Sequence, residues 1–203
     1  FNFNYWTITL NNKDKVYFKN LILTIPFPQL KKLSSKYLNK KLLNLKVKME
    51  PNITVMTAFK NYKNLPISSI KYDNEIIAWA SHENSKNRFK SNKSLWTIQC
   101  TKKFSLKIIN LFKRNKKKYQ IFILKKFEKL TGYQIKNVVF QNIHGWKYAY
   151  SHNKKNMNSL WLNNCTLGVC ADWFNGAKAE DSWLSANSLY KRIKKNPPKL
   201  RRV

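Results

Sequence analysis

The residues with the clearest chemical potential form an aromatic row in the last third of the chain. His144, Trp146, Tyr148 and Tyr150 occupy alternate positions, and alternate side chains of a β-strand share one face. Histidine exchanges protons near neutral pH, and aromatic rings commonly line ligand pockets. A buried core stripe has the same spacing, so the row alone leaves both interpretations open.

A second group of candidate residues follows a short apolar run. Leu167–Ala171 is typical of a buried strand, and Asp172 and Trp173 come directly after it. The turn-like pair Asn175-Gly176 then precedes a helical pattern over Glu180–Ile193. A strand, an acid, a turn and a helix N-terminus together can bind a phosphate or a ring. Helix caps, including Glu180-Asp181, and a core tryptophan also explain the pattern, and spacing alone favours that interpretation. Trp183, three residues past Glu180, is expected to pack the helix onto the sheet.

Several common kinds of site are excluded. The chain has only four glycines and no G-x-G-x-x-G or P-loop sequence, so it carries no glycine-rich phosphate loop. It also lacks the G-x-S-x-G of a nucleophile elbow. Cys100, Cys165 and Cys170 lack the spacing of a zinc site, which predicts buried, reduced thiols and no metal.

The elements that must position these residues are strands and helices in alternation. Asn4–Leu10 and Val16–Phe18 are predicted to form a hairpin around a turn at residues 11–14. Three further strands of one antiparallel sheet are predicted at Ile53–Phe59, Glu75–His82 and Leu95–Cys100, and other strands at Leu21–Ile25 and Gln134–Ile143. Helical spacing covers Gln29–Leu45, Phe104–Phe112 and Tyr119–Leu130, with Gly132 placed to cap the last.

The charge balance is strongly basic, with 40 Lys and Arg against nine Asp and Glu and a formal net charge of +31. Such a charge attracts nucleic acid or an anionic membrane. Only five of the basic residues are arginines, whereas base and phosphate recognition favours arginine. An AT-rich genome and a solvated surface explain the lysines better, so nucleic acid is not expected as a partner. No apolar run approaches the roughly 20 residues of a membrane span, so a cytoplasmic protein without a membrane partner is expected.

Three segments together resemble the C-terminal part of renalase-like FAD-dependent oxidoreductases of the flavin amine oxidase superfamily. They are His144–Ala149, Leu167–Phe174 and Ala179–Ser185, similar to the family's HRWRYA, LGLCGDW and VEGAWLSG. Further matches occur upstream in the family's order, at Leu23–Gln29, Met49–Phe59 and Ile77–Arg88. The resemblance implies an α/β fold with an α+β substrate domain inserted in a flavin-binding domain.

The resemblance also implies domain boundaries. Residues 1–29 would supply flavin-domain strands, 30–159 the substrate domain, 160–196 the C-terminal flavin-binding segment and 197–203 a basic tail. Because the chain opens on Phe1 and lacks the family's G-x-G-x-x-G, we expect a member without the N-terminal dinucleotide-binding unit. FAD binding would then require that unit, and the chain alone would be inactive.

The implied activity is hydride transfer from a small amine or a dihydronicotinamide-type substrate to FAD, followed by reoxidation by oxygen. Asp172 would accept a hydrogen bond from the flavin ribityl or ribose. The expected substrate wall comprises His144, Trp146 and Tyr148, with Trp79 as an additional candidate. The expected cofactor-binding residues are Asp172, Trp173, Glu180, Asp181, Ser182 and Trp183, with the amides of Asp181–Trp183 facing the flavin pyrimidine.

The sequence departs from the family at residues that would lie near the flavin. Ala171, Asp181 and Ala186 each replace a glycine, and a Cβ there can obstruct close approach of a ligand. Asn87 replaces a proline of the family. Two alternatives stay open. The chain could be a basic nucleic-acid-binding module, as its charge allows, or an inactive remnant of the flavoenzyme fold.

Overall fold

The computed structural model describes residues 5–38, 40–61, 66–88, 90–151 and 157–198. The chain divides into two compact units, which we call the first unit (Phe1–Met49 with Tyr150–Val203) and the second unit (Glu50–Ala149). The domain boundaries expected at 29/30 and 159/160 stay predictions. Residues 199–203 of the predicted basic tail lie outside the described part of the chain.

The described residues form a mixed α/β chain with three sheets. The strands are β1 (Trp6–Thr9), β2 (Lys15–Phe18), β3 (Leu21–Leu23), β4 (Met49–Phe59), β5 (Ser69–Lys71), β6 (Ile77–His82), β7 (Ser94–Cys100), β8 (Val138–Ser151), β9 (Leu160–Leu162) and β10 (Leu167–Val169). The helices are α1 (Phe27–Ser34), α2 (Lys40–Leu43), α3 (Lys102–Ile108), α4 (Lys116–Thr131) and α5 (Ala179–Lys195).

The first unit contains two small sheets. Strands β1 and β2 pair antiparallel, which confirms the predicted hairpin. In the other sheet β10 lies between β3, to which it is parallel, and β9, to which it is antiparallel. Helix α1 begins at Phe27, earlier than predicted, because Pro28 fits the first turn, where an amide would have no helical acceptor. Trp6, Leu30, Leu42, Leu167, Val169 and Trp173 are among the side chains of its core.

The second unit is a five-stranded sheet in the order β5-β6-β7-β4-β8. The three strands predicted for one antiparallel sheet are confirmed as β4, β6 and β7. Side chains of the sheet pack with those of α3 and α4 in one core, which includes Val55, Trp96, Ile98, Ile108, Ile123 and Phe127. Helix α4 ends at Gly132, whose φ of 73° confirms the predicted glycine cap.

The cysteines and the helices bear on the other sequence predictions. Cys100 and Cys170 are buried, Cys165 is half-buried, and none forms a disulfide. Burial raises the pKa of Cys100 to about 12, so its thiol is inert at neutral pH. Within the described ranges, no cluster of metal-binding side chains occurs, and no helix has the length and apolar character needed to cross a bilayer.

Candidate functional site

A tight turn after β10 positions Asp172. The backbone is extended at Ala171 and then enters a 3₁₀ turn over Asp172–Phe174. The carbonyl oxygen of Asp172 accepts hydrogen bonds from the amides of Asn175 and Gly176, both at 2.8 Å. The Asp172 side chain accepts one from the amide of Trp173, also at 2.8 Å, through Oδ1. The carboxylate is therefore held in a fixed place at the end of the sheet.

The electrostatic setting of Asp172 is unfavourable to its charge. Partial burial raises the pKa of the Asp172 carboxyl, the negative charge of Asp181 raises it further, and the hydrogen bond from Trp173 opposes both effects. Among the described residues, no cation pairs with Asp172, and its second oxygen, Oδ2, accepts no hydrogen bond from another residue. A carboxyl group whose pKa is raised by burial and by a neighbouring charge is a candidate for a functional site.

Asp181 has a different task at the start of α5. Its Oδ2 accepts a hydrogen bond from the amide of Lys178 at 2.9 Å, so the predicted role of a helix cap is confirmed. The amides of Asp181 and Ser182 donate to the carbonyl of Lys178, at 3.1 and 3.4 Å. Helix geometry leaves the amides of Ala179 and Glu180, rather than these two, without a helical acceptor. Glu180 and Ser182 themselves are exposed.

In the turn between Asp172 and α5, Gly176 lies against the carboxylate of Asp181. A Cβ at this position would lie 2.5 Å from Oδ2 of Asp181, closer than real side chains approach. The side-chain amide of Asn175 also donates to the carbonyl of Asp181, at 3.2 Å. The Asn175-Gly176 turn predicted from the sequence thus joins the two carboxylate-bearing elements of this site.

The two tryptophans of the candidate site differ in exposure. Trp173 is fully buried, and its indole nitrogen donates to the carbonyl of Ile25 at 3.1 Å. Its ring also packs on Phe27 and Phe174, at centroid distances of 5.1 and 4.0 Å. Trp183 is 64% exposed, so the prediction that it packs α5 onto a sheet is wrong. Trp173 is thus part of the scaffold that holds Asp172 in place.

Ser185 makes the contact expected of Trp183 and was missed by the sequence reasoning. Its hydroxyl accepts a hydrogen bond from the amide of Ala171 at 3.0 Å and donates to the carbonyl of Asn158 at 2.6 Å. Together with Leu189, one turn further on, Ser185 forms the buried side of α5. This spacing of one small and one apolar residue was the available signal.

The aromatic row lies on β8, in the second unit except for Tyr150. Ile143 is buried and Gly145 lies against the ring of Phe112, so these two residues face the core. His144 and Trp146 are exposed on the other face, with ring centroids 4.2 Å apart. The predicted common face is confirmed for His144 and Trp146, and at these two residues it is not a core stripe.

The remaining members of the predicted substrate wall are less exposed. Tyr148 is half-buried, and the ammonium nitrogen of Lys147 lies 5.7 Å from its ring centroid. Trp79 is half-buried on β6, which is separated from β8 by two strands in the sheet order. Because neighbouring strands lie about 4.8 Å apart, Trp79 is not part of the cluster formed by His144 and Trp146.

Comparisons with known proteins bear on the fold. No protein-family model matches the chain, and no curated protein does. Among solved structures, one from Exiguobacterium sp. 255-15, named "Putative protoporphyrinogen oxidase", matches with a TM-score of 0.65 at 13% identity, over 94% of this chain and 44% of that chain. A structural-genomics target protein from Pyrococcus furiosus matches with a TM-score of 0.52 at 12% identity, over 93% of this chain and 43% of that one.

The likeness establishes the fold. This chain shares the mixed α/β fold of the matched parts of both structures over most of its own length. The chain spans less than half the length of either neighbour. The closer resemblance to renalase-like oxidoreductases and the roles expected of the individual site residues stay predictions.

Proposed function

We propose that this chain is part of an FAD-dependent oxidoreductase that transfers hydride from a small amine or a dihydronicotinamide-type substrate to the flavin. The observation that carries the proposal is the fold likeness to a protein named as an oxidase, which extends over 94% of this chain. The order of the sequence segments that resemble flavin amine oxidases agrees with it.

The residues around Asp172 fit the sugar part of such a cofactor. Oδ2 of Asp172 is an acceptor that no other described residue uses, and a ribityl or ribose hydroxyl is a donor of the right kind. The Asp172 backbone and Oδ1 are fixed by three hydrogen bonds, so the acceptor is preorganised. Ala171, which replaces the family's glycine, is in the extended conformation that any residue adopts.

The start of α5 would face the charged part of the flavin with backbone amides. Its capacity is reduced by the Asp181 carboxylate, which already complements the helix N-terminus. We therefore assign the donor role to Ala179 and Glu180 instead of the amides of Asp181 and Ser182, which bond to Lys178. The flavin, when bound, supplies hydride acceptance, and these residues supply orientation and electrostatics.

The substrate side is assigned to the exposed face of β8. The adjacent, tilted rings of His144 and Trp146 offer an apolar wall with one group that can exchange a proton. Tyr148 extends the same face. A small apolar or aromatic substrate is compatible with such a surface, and the reaction would need no metal.

The adenosine diphosphate half of FAD needs a binding element that these 203 residues do not carry. The sequence contains no G-x-G-x-x-G, which in dinucleotide-binding proteins approaches the pyrophosphate. We propose that a separate dinucleotide-binding unit supplies it, and that these residues by themselves bind flavin weakly and do not turn over substrate.

The test is a titration of riboflavin with the purified chain, followed by flavin fluorescence. We expect Asp172→Asn to weaken binding about tenfold, because a charge-assisted hydrogen bond is lost. Asp14→Asn is the matched control, since it removes the same charge from an exposed hairpin turn of the first unit. Equal affinity of the two variants would show that Asp172 is not a flavin ligand.

A further inference from the structure

The outward surface of two helices in the second unit is both basic and apolar. We call it the α3–α4 face. Its cations are Lys107, Lys118, Lys125, Lys126 and Lys129, and its apolar side chains are Leu106, Leu111, Phe122 and Leu130. The interpretation of the basic charge as a generally solvated surface does not account for exposed leucines and a phenylalanine among these lysines.

The helical repeat places the cations together. At about 100° per residue, Lys118, Lys125 and Lys129 fall on one strip of α4 with Phe122 among them. The buried side chains Ile123, Leu124 and Phe127 point the opposite way, into the core. The strip therefore faces away from the core of the second unit.

The positive charge on this face is not neutralised by acidic side chains of the described residues. Among the described residues, none of the five lysines forms an ion pair. Glu128 is the one acid in α3 and α4, and its Oε1 accepts a hydrogen bond from the amide of Ile135 at 3.1 Å. An anionic partner would thus meet a field of one sign.

The apolar side chains are held in place and reach solvent. Phe122 is 39% exposed, stacks on Phe104 at a centroid distance of 5.8 Å, and has the Lys126 ammonium 5.8 Å from its ring centroid. Leu106 and Leu111 are 51% and 53% exposed. These groups gain free energy only from a partner that is itself apolar.

We propose that the α3–α4 face binds the surface of an anionic phospholipid bilayer. Lipid phosphates would meet the lysine ammonium groups, while Phe122 and the leucines enter the boundary between headgroups and acyl chains. Lysine stems can lie along apolar surface with the charge in the headgroups. A nucleic acid would satisfy the lysines but leave the leucines in water, and the strip on α4 lacks the arginine that phosphate recognition favours.

This interaction is adsorption to a surface and needs no membrane span, and it replaces the expectation from the sequence that the chain has no membrane partner. It requires nothing of the flavin site, which lies in other residues. The proposal therefore stands or fails independently of the proposed enzymatic function.

The experiment is flotation of the full chain with vesicles at physiological ionic strength. We compare phosphatidylcholine vesicles with vesicles that also contain phosphatidylglycerol, and expect binding to the anionic vesicles alone. The variant K118Q/K125Q/K126Q/K129Q should bind more weakly, by about fivefold for each lysine removed. The control K15Q/K19Q/K191Q/K195Q changes the net charge equally but alters exposed lysines of the first unit, and should bind at least about tenfold more tightly than the first variant.

The apolar contribution has its own variants. Leu106→Ser and Phe122→Ser should each weaken vesicle binding by about tenfold. Leu106 has the larger exposed fraction, so its replacement leaves the core intact. Equal loss in the two lysine variants would overturn the proposal, because net charge alone would then explain binding. Binding to neutral vesicles with the same affinity, or tighter binding to duplex DNA or single-stranded RNA than to anionic vesicles, would overturn it as well.

Discussion

Asp172 and Asp181 illustrate how one residue type serves two purposes in the same unit. Asp181 caps α5 by accepting the Lys178 amide, a stabilising interaction near the positive end of the helix dipole. Partial burial and the nearby negative charge of Asp181 raise the pKa of Asp172, and the hydrogen bond from the Trp173 amide only partly offsets them. Its charge is a cost to the fold, and a function such as flavin binding would explain why it is there.

The unfavourable charge of Asp172 in the folded state leads to a prediction for stability. Because the folded-state pKa of Asp172 lies above that of the unfolded chain, its ionisation destabilises the fold above the folded pKa, and this effect is gone below the unfolded value of about 3.9. Asp172→Asn should raise the melting temperature by a few degrees at neutral pH, with the gain disappearing on acidification. Thermal unfolding followed by circular dichroism checks this, with Asp181→Asn as the contrast.

The two variants should move in opposite directions. Asp181→Asn loses a charged cap and should lower the melting temperature at neutral pH, by about 1 kcal/mol in free energy of unfolding. A lower melting temperature for Asp172→Asn as well would mean that the carboxylate is structural, and would remove the argument for its role in binding.

Single residues were predictable where a local rule decides them. The acids at the start of α5 were expected as caps, and the cap by Asp181 is found. The exposure of Trp183 was not predictable from its residue type, because it depends on which side of α5 meets the sheet. That side is set by Ser185, whose hydroxyl links Ala171 and Asn158, partners that are distant along the chain.

Strand β8 depends on a glycine at its centre. A Cβ at Gly145 would overlap the ring of Phe112 and come within 3.0 Å of Ile109. The missing side chain lets Phe112, which is 4% exposed, pack directly under the strand. The result is a strand whose neighbours His144 and Trp146 face outward as a pair.

We therefore predict that Gly145→Ala destabilises the second unit by about 1–3 kcal/mol through overpacking. Chemical denaturation monitored by tryptophan fluorescence measures the loss. In a Phe112→Leu background the smaller side chain leaves room for the new methyl group, so the same substitution should cost clearly less. Identical costs in the two backgrounds would exclude the clash with Phe112 as the cause.

Elements with a strong periodic pattern were predictable, and those made by tertiary pairing were not. The hairpin, β4, β6, β7 and the glycine-capped α4 follow from alternation, helical spacing and Gly132. Strands β5 and β9 have three residues each, too few to show any period, and exist because longer or buried strands lie beside them. The length of β8 was also missed, since Gly145 interrupts its alternation.

At the scale of the molecule, the two cores differ in how many stretches of the chain supply their side chains. The core of the second unit is built from one continuous stretch, from Ile53 to Ile143. The core of the first unit combines side chains from both ends of the chain, from Trp6 to Leu42 and from Leu160 to Phe174. Each unit thus has a hydrophobic core of its own.

A fragment of residues 49–151 should consequently fold by itself. We expect one cooperative thermal transition and dispersed amide resonances in its NMR spectrum, because the fragment retains the whole five-stranded sheet with α3 and α4. Ile123→Ala, which opens a cavity at a fully buried site, should destabilise this fragment by about 2–5 kcal/mol. Non-cooperative melting of the unsubstituted fragment would show that the second unit depends on the rest of the chain.

The hydrogen bonds that join the two chain segments of the first unit have a consequence for synthesis on the ribosome. The indole of Trp173 bonds to the carbonyl of Ile25 across 148 residues of chain, and that of Trp6 to Cys165 across 159. At roughly 5–20 residues per second, β3 emerges on the order of ten seconds before its partner strand β10. During that interval the second unit can finish folding while the apolar β3 remains unpaired, so a nascent-chain chaperone would find its binding site there.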